Sequence, residues 1–274
     1  MLNKLWIDGK FVAARSGRTF PVVNPADGSV LTRVAEGGPE DINAAVEAAV
    51  KAANGAWSKM HARERGKILL KIAGLIRENL DSLALLECRN AGKPLGDAKD
   101  EMGLAADTFE YYGGAANKHF GETIPVAGAG LDYTLREPVG VCGLIVPWNF
   151  PLVIAAWKLG PALACGNTVV VQPSPETPLT ALALAKLAAE AGLPAGVLNV
   201  VPGPGPGCGD ALVAHPLVRK ISFTGSTATG TVLMKAAADG IKRVSLELGG
   251  KSPNIVFDDA DLELCVEKTV WSVF

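Results

Sequence analysis

Two glycine-dense segments are the first places in this sequence where chemistry could occur, because glycine lets backbone N–H groups approach a bound phosphate. Residues 203–209 read GPGPGCG, but Cys208 and Asp210 stand where the dinucleotide pattern G-x-G-x-x-G requires its last glycine. Residues 250–252 read GKS, but Ser245 stands where the phosphate-loop pattern requires its first glycine. Both patterns fail, and both segments stay candidates only as glycine-rich turns after strands.

Five cysteines could supply a nucleophile, a disulfide or a metal site. Their number is odd, their spacing matches no metal-binding pattern, and residues 1–10 have no apolar core of signal-peptide length. We therefore expect reduced, packed cysteines, no metal site and a cytoplasmic protein. The five are Cys88, Cys142, Cys165, Cys208 and Cys265.

The composition excludes several classes of partner. Of the 274 residues, 49% are hydrophobic and 20% are charged, which suffices for a large buried core in one domain or two. The net charge is −2 with both signs mixed along the chain, so we expect neither a nucleic-acid nor an anionic-membrane partner. The most hydrophobic stretch, residues 151–171, contains Lys158 and Pro161, which argues against a membrane-spanning helix.

The first 120 residues are predicted to be largely helical. Asp8-Gly9 between apolar ends predicts a hairpin over residues 6–11, and residues 20–28 predict a strand and a turn. Apolar residues at helical spacing predict helices that form one layer against the rest of the chain. A Gly-rich, β-like arm or hairpin is predicted over residues 122–136. The helices are predicted over residues 40–53, 63–79, 80–91 and 97–118.

Strand-like and helical segments alternate from residue 139 onward. The strands are apolar along their length, which is typical of strands buried on both faces of a parallel sheet. The expected fold class is therefore α/β with a doubly wound parallel sheet. Strands are predicted over residues 139–146, 168–171, 197–201, 219–223, 243–246 and 255–257, and helices over 157–164, 179–191, 209–214 and 227–238.

Three segments that follow predicted strands resemble a known family. They read PWNFP at residues 147–151, FTGST at 223–227 and LELGGKSP at 246–253. In this order and spacing they resemble the NAD(P)-dependent aldehyde dehydrogenase superfamily, and the likeness runs from Trp6 to Phe274. It includes AGKPL at residues 91–95 and WKLGPAL at 157–163. GETIP at 121–125 with REPVG at 136–140 looks closest to the betaine-aldehyde and aminoaldehyde branches.

The resemblance implies that three polar residues act in the oxidation of an aldehyde to a carboxylic acid. Asn149 would donate its side-chain amide to the oxyanion that forms when a cysteine thiolate attacks the aldehyde. Glu247 matches the general base that activates water, and we expect burial between Leu246 and Leu248 to raise its pKa. Lys158 matches a proton-relay position. The alternatives stay open: a turn asparagine, an ion-paired glutamate and a solvated helix lysine.

The resemblance also implies a groove for NAD or NADP. Ser226 and the start of the following helix would meet the pyrophosphate, and Gly225, Gly205 and Gly209 would allow close backbone approach. Residues 145–148 would line this groove, and ordinary packing in the core is an equally good explanation of these four residues. The full predicted set is Ile145, Val146, Pro147, Trp148, Gln172, Pro173, Ser174, Gly205, Gly209, Phe223, Thr224, Gly225, Ser226, Thr229, Gly230, Leu248 and Gly249.

One segment departs from the family pattern. The family usually has Lys-Pro-x-Glu, whose Lys and Glu hold the adenosine ribose, where this chain has QPSPE from Gln172 to Glu176. A ribose carboxylate favours NAD, and a nearby cation tolerates the extra phosphate of NADP. The loss of both the lysine and the glutamate from their usual positions predicts weakened binding of the cofactor. We expect NAD because Gln172 offers no charge to a 2′-phosphate, and NADP stays open.

The resemblance divides the chain into four parts. Residues 1–120 would be the hairpin and helical layer of the nucleotide-binding domain, 121–139 a β arm of the oligomerisation type, 140–257 the Rossmann-like NAD(P)-binding core and 258–274 the start of a catalytic domain. The family's catalytic cysteine is expected roughly seven residues beyond Phe274. The last predicted helix also reaches Phe274 without a cap. We therefore expect a truncated chain, with the catalytic domain missing, that does not oxidise aldehydes alone.

Two hypotheses of different classes remain. One is an aldehyde dehydrogenase fragment, whose intact relative acts on a small aldehyde. The other is a non-catalytic dinucleotide-binding module or a partner of a full-length homologue. In either case we expect a homo-oligomer, with the helix after Ser226 as one pairing surface. A short-chain reductase is disfavoured, because Tyr111, Tyr112 and Tyr133 have no lysine four residues later.

Overall fold

Strands and helices alternate along the computed structural model, which describes residues 2–273. Met1 and Phe274, the outermost residues of the first and last predicted parts, lie outside the described residues. The strands are β1 (Leu5–Ile7), β2 (Lys10–Val12), β3 (Thr19–Val23), β4 (Val30–Ala35), β5 (Thr123–Ile124), β6 (Asp132–Tyr133), β7 (Val141–Val146), β8 (Thr168–Pro173), β9 (Leu198–Val200), β10 (Val218–Gly225) and β11 (Arg243–Leu248). The helices are α1 (Pro39–Ala53), α2 (Ala56–Lys59), α3 (Ala62–Glu78), α4 (Leu80–Ala91), α5 (Leu95–Ala115), α6 (Pro151–Ala164), α7 (Leu179–Glu190), α8 (Asp210–Ala214), α9 (Thr227–Ala238) and α10 (Leu262–Val273).

Seven strands form one sheet in the order β11-β10-β7-β8-β9-β1-β2. The five strands from β7 to β11 pair in parallel, whereas the β1–β2 hairpin joins the edge antiparallel to β9 through Trp6 and Val200. β7 and β8 are buried along nearly their whole length, as expected of parallel strands covered on both faces. The doubly wound α/β fold predicted from the alternation is confirmed.

Helices cover both faces of this sheet. α1, α8 and α9 pack on one face, and α6 and α7 pack on the other, with α3, α4 and α5 outside them. The N-terminal helices therefore do not form the single layer that we expected, because α1 lies across the sheet from α3 to α5. The contact between α5 and α6 requires Gly160, where an added Cβ would lie 2.7 Å from the ring of Tyr112.

Most predicted elements are confirmed, with one wrong strand. α6 begins at Pro151 instead of residue 157, since proline suits the first position of a helix. Residues 255–257 form no strand: they are exposed and pair with no described strand, so their backbone lacks the neighbour that a ladder needs. β5 and β6 form the predicted arm as an exposed hairpin. No helix among residues 2–273 is both long enough and apolar enough to cross a membrane.

Within residues 2–273, no helix packs across one face of β10 and β11, which corrects the expectation that every strand is buried on both faces. α8 and α9 cover only their other face. Because side chains alternate along a strand, the uncovered face carries every second residue of each strand. These residues are all polar: Lys220, Ser222, Thr224, Arg243, Ser245 and Glu247.

The helices α3, α4 and α5, which we call the helical layer, contain a buried cluster of charges. Glu87 of α4 is fully buried, and neither of its carboxylate oxygens has a hydrogen-bond partner among the described residues. The ammonium of Lys93 lies 3.6 Å from Glu87 Oε1 and pairs more closely with Glu101 of α5. Burial raises the pKa of Glu87 to about 7; the Lys93 charge opposes this rise and the Glu101 charge adds to it.

We predict that Glu87 makes the free energy of unfolding fall as the pH rises from about 4.5 to about 7. The unfolded chain releases this proton near the ordinary pKa of 4.5, whereas the folded chain holds it to about 7, so the folded state binds more protons in this window. Glu87→Gln should flatten the profile there, by on the order of 2 kcal/mol. Denaturant titrations at stepped pH measure this change. Glu78→Gln, at an exposed position of α3, is the control, and an unchanged slope in Glu87→Gln contradicts the prediction.

Candidate functional site

The carboxyl ends of the five parallel strands meet at one edge of the sheet. β7 lies between β8 and β10 in the sheet. The chain passes from β7 to β8 through α6 on one face, and it passes from β9 to β10 through α8 on the opposite face. This change of direction opens a crevice between β7 and β10, the place where doubly wound sheets bind ligands.

A cleft of about 1840 Å³ adjoins this crevice. The loops after β7, β10 and β11 form its rim, and the polar face of β10 and β11 lines its floor. The structure thus brings together residues that are up to 102 positions apart in the sequence. The ten predicted site residues that line the cleft are Pro147, Trp148, Asn149, Lys158, Thr224, Gly225, Ser226, Glu247, Leu248 and Gly249.

The other predicted residues lie outside the walls of this cleft. Gln172 at the end of β8 is buried, and its Nε2 donates to the Gly203 carbonyl at 3.2 Å. Gly209 lies against the same amide, since an added Cβ would be 2.8 Å from Gln172 Oε1. These residues lie at the carboxyl end of β8, the strand beside β7, and are separate from the residues that line the cleft. The remaining predicted residues outside the cleft are Ile145, Val146, Pro173, Ser174, Gly205, Phe223, Thr229 and Gly230.

Phe223 and Gly230 support the cleft from beneath. The buried ring of Phe223 occupies the space that a side chain on Gly225 would need, at 2.5 Å from an added Cβ. An added Cβ on Gly230 would lie 2.5 Å from Leu248, so glycine lets α9 pack against the end of β11. Both residues therefore make packing contacts, and their contact with a cofactor stays a prediction.

Ser226 is the N-cap of the 12-residue helix α9. Its Oγ accepts a hydrogen bond from the Thr229 backbone N–H at 3.1 Å and donates to Thr229 Oγ1 at 2.9 Å. The other N–H groups of the first turn have no acceptor within the helix, so the helix end favours an anion. A lone pair of the Ser226 hydroxyl remains for a ligand.

Lys158 reaches from α6 to the floor of the cleft. Its Nζ donates to Ser222 Oγ at 2.8 Å, so the alternative of a freely solvated lysine is wrong. Burial lowers the pKa of Lys158 to about 8; the Glu247 carboxylate raises it and the Lys220 ammonium lowers it. An ammonium with this pKa gives up a proton more readily than an ordinary lysine does, which suits proton transfer near neutral pH.

Glu247 and Asn149 both face solvent. The expected burial of Glu247 is wrong, because β11 is an edge strand and its polar face is uncovered. The Glu247 carboxylate has no hydrogen-bond or ion-pair partner among residues 2–273, so it is free to meet a ligand or water. The backbone carbonyl of Asn149 accepts a hydrogen bond from Lys93 Nζ at 2.9 Å, and its side-chain amide makes no hydrogen bond within the part of the chain that the structure describes.

Sequence reasoning missed two residues that contact the candidate catalytic groups. Ser222 holds Lys158, and the alternation of polar and apolar residues along β10 could have indicated its place on the open face. Lys93 donates a hydrogen bond to the Asn149 carbonyl, but its AGKPL segment indicated only a resemblance to a family and no role for the lysine. Nothing local to Lys93 indicates its partner, 56 residues away.

We predict that Glu247→Gln lowers the pKa of Lys158 further, because the carboxylate favours the charged ammonium. The expected change is about half a pH unit, since Glu247 is exposed. Reductive ¹³C-methylation of the lysines followed by an NMR pH titration measures it, with Lys158→Arg to assign the signal. Glu263→Gln, at an exposed site of α10, should leave the titration unchanged. The same midpoint in Glu247→Gln as in the wild type would disprove the coupling.

Known proteins match this sequence and this fold. The sequence profile of the aldehyde dehydrogenase family matches residues 11–274. The mitochondrial benzaldehyde dehydrogenase of Antirrhinum majus is 51% identical over 275 residues, which cover 99% of this chain and 52% of that protein. The chain spans about half the length of the curated relatives that it matches.

Solved structures agree with the sequence matches. The NAD⁺ complex of an aldehyde dehydrogenase from Bacillus cereus superposes with a TM-score of 0.95 at 49% identity, over 97% of this chain and 54% of that chain. A betaine aldehyde dehydrogenase from Staphylococcus aureus, in complex with NAD⁺, gives 0.95 at 40% identity, over 97% and 55%. The finer resemblance to the betaine-aldehyde and aminoaldehyde branches stays a prediction. The family expected from the three strand-end segments is confirmed: this chain belongs to the aldehyde dehydrogenase family.

Proposed function

We propose that this chain is the NAD-binding part of an oxidoreductase that converts an aldehyde to a carboxylic acid. The observation that carries the proposal is the crevice between β7 and β10, beside which Asn149, Ser226 and Glu247 line one cleft. The NAD⁺ complex of the Bacillus cereus relative, 49% identical, supports the same cofactor here.

The residues at the strand ends fit a dinucleotide. An added Cβ on Gly249 would meet nothing within 4 Å, so a ligand can approach the backbone of this segment closely, whereas Gly225 leaves room for the ring of Phe223. Ser226 and the first turn of α9 offer a hydroxyl and N–H groups to a pyrophosphate. At the neighbouring strand end, where the family usually has a lysine, this chain has the neutral amide of Gln172, which is buried and donates to the Gly203 carbonyl.

The polar residues of the cleft have distinct roles in this proposal. The unengaged amide of Asn149 donates to the oxygen of the reacting aldehyde as negative charge develops on it. Glu247, exposed and without a partner among the described residues, takes the proton of an attacking water. Lys158, with its pKa near 8 and its contact with Ser222, passes a proton between the cleft and solvent. When bound, NAD supplies the hydride acceptor.

Burial makes three of the five thiols of this chain poor candidates for the attacking nucleophile. Burial raises the pKa of Cys142 to about 11 and that of Cys208 to about 12, and it also raises the pKa of Cys165. Thiols with such pKa values are poor nucleophiles at neutral pH. We therefore propose that the attacking cysteine is not one of these three. A non-catalytic dinucleotide-binding module, or a partner of a full-length homologue, is the second candidate.

Assembly and location are further proposals. Val232 and Met234 are exposed apolar residues of α9, and the β5–β6 arm is exposed, so both elements suit contact between copies of the chain. We propose a homo-oligomer that acts on a small aldehyde, in the cytoplasm. The mitochondrial name of the Antirrhinum majus relative applies to that protein.

We predict that the chain binds NAD more tightly than NADP, because the amide of Gln172 offers no charge to a 2′-phosphate. Isothermal titration calorimetry with both cofactors measures the ratio. Gln172→Lys should improve NADP relative to NAD by roughly fivefold, the effect of about 1 kcal/mol of charge attraction. Gln172→Met, which keeps the size without a charge, is the control and should not shift the ratio toward NADP. Tighter binding of NADP by the wild type would refute the prediction.

We predict that the purified chain binds NAD but forms no NADH when an aldehyde is added. Absorbance at the NADH band, recorded with a panel of small aldehydes, measures turnover, and calorimetry on the same sample measures binding. Aldehyde-dependent NADH formation that is lost in Asn149→Ala would overturn the proposed lack of turnover. Failure to bind either dinucleotide would overturn the proposed function itself.

A further inference from the structure

Lys93 lies in the turn between α4 and α5, directly behind the loop that carries Asn149. Its side chain is 11% exposed, so its charge is largely removed from water. A buried ammonium is costly unless its three N–H donors and its charge are matched. Four groups surround it, from three different parts of the fold.

Two of these groups are carboxylates. Glu101 of α5 forms a close ion pair with Lys93, and Glu87 of α4 lies with its Oε1 3.6 Å from Nζ. Both carboxylates are nearly or fully buried, with side-chain exposures of 8% and 0%. Because α4 and α5 pack against each other, these carboxylates fix the ammonium in space relative to the helical layer.

The other two groups belong to the loop between β7 and α6. Lys93 Nζ donates to the Asn149 carbonyl at 2.9 Å and lies 4.7 Å from the centroid of the Phe150 ring, within range of a cation–π contact. The loop is otherwise exposed from Trp148 to Phe150. The ammonium therefore ties the exposed end of this loop to α4 and α5.

We propose that Lys93, held between Glu87 and Glu101, is a positioning residue that fixes the backbone of Asn149 and so directs its side-chain amide into the cleft. The proposal rests on the proposed function, because only there does the Asn149 amide act as a donor. A hydrogen bond to the carbonyl of a residue fixes the peptide plane on one side of its Cα, and the directions open to its side chain follow from that plane.

The test measures the loop in the chain without cofactor. In ¹⁵N-labelled chain, backbone order parameters of Asn149 and Phe150, and the side-chain amide signal of Asn149, report the position and motion of the loop. Asn149→Ala assigns the side-chain signal. We expect Lys93→Met to lower both order parameters from about 0.85 to below about 0.6, and to broaden or shift the Asn149 amide. Lys99→Met, which removes an ammonium paired with exposed Asp81, should change neither.

A purely structural role for Lys93 gives a different result. In that case the unfolding midpoint of Lys93→Met falls while the Asn149 amide and both order parameters keep their wild-type values, and this outcome overturns the proposal. If Lys93→Met does not fold, Glu101→Gln weakens the hold on the ammonium and keeps the side-chain shape. Glu101→Gln should then lower the two order parameters by a smaller amount, and no change there also overturns the proposal.

Failure of the proposed function is recognised separately. Titration of the same wild-type sample with NAD shows whether the chain binds the cofactor. A loop that loosens in Lys93→Met supports the positioning role even if NAD does not bind. A chain that binds NAD, but whose loop does not respond to Lys93→Met, refutes the positioning role alone.

Discussion

Parallel pairing of β7 to β11 is the constraint on which the candidate site depends. Parallel neighbours need crossover connections, so the loop after every strand returns to the same edge of the sheet. Pairing then decides which loops are neighbours: the register of β10 with β11 sets Thr224 opposite Glu247, and that of β7 with β8 sets Ile145 opposite Gln172. A crevice forms between β7 and β10 because their crossovers lie on opposite faces.

The helical layer does more than cover the sheet, because its polar residues reach the loops at the strand ends. Lys93 donates to the carbonyl of Asn149 in the loop after β7. Asn90, near the end of α4, donates its Nδ2 to the carbonyl of Glu176 at 2.8 Å in the loop after β8. The end of α4 and the turn between α4 and α5 thus hold two strand-end loops, and the buried carboxylate of Glu101 pairs with the Lys93 ammonium while Glu87 Oε1 lies 3.6 Å from it.

The uncovered face of β10 and β11 gives the cleft its electrostatic character. Polar side chains on this face remain in contact with water, so Glu247 keeps an exposed carboxylate. Lys158 differs, since it enters the same face from α6 and is partly shielded by its own helix, which lowers its pKa to about 8. The lowered pKa of Lys158 therefore comes from its burial and not from the open face itself.

The sequence by itself determined the fold class, the order of the elements and the family. The alternation of apolar runs with amphipathic segments after residue 139 predicted the parallel sheet, and the strand-end segments at residues 147–151, 223–227 and 246–253 supply part of the lining of the cleft. These features are local, since the periodicity of an element records which of its faces is apolar.

Only the tertiary structure decided what covers each face and which distant residues meet. The burial expected for Glu247 was wrong because its strand lies at an edge, and residues 255–257 lack the neighbouring strand that would have made them a strand. The contacts of Lys158 with Ser222 and of Lys93 with Asn149 join residues 64 and 56 positions apart. Such contacts follow from the packing of whole elements against one another, and the pattern within one element carries no record of its neighbour.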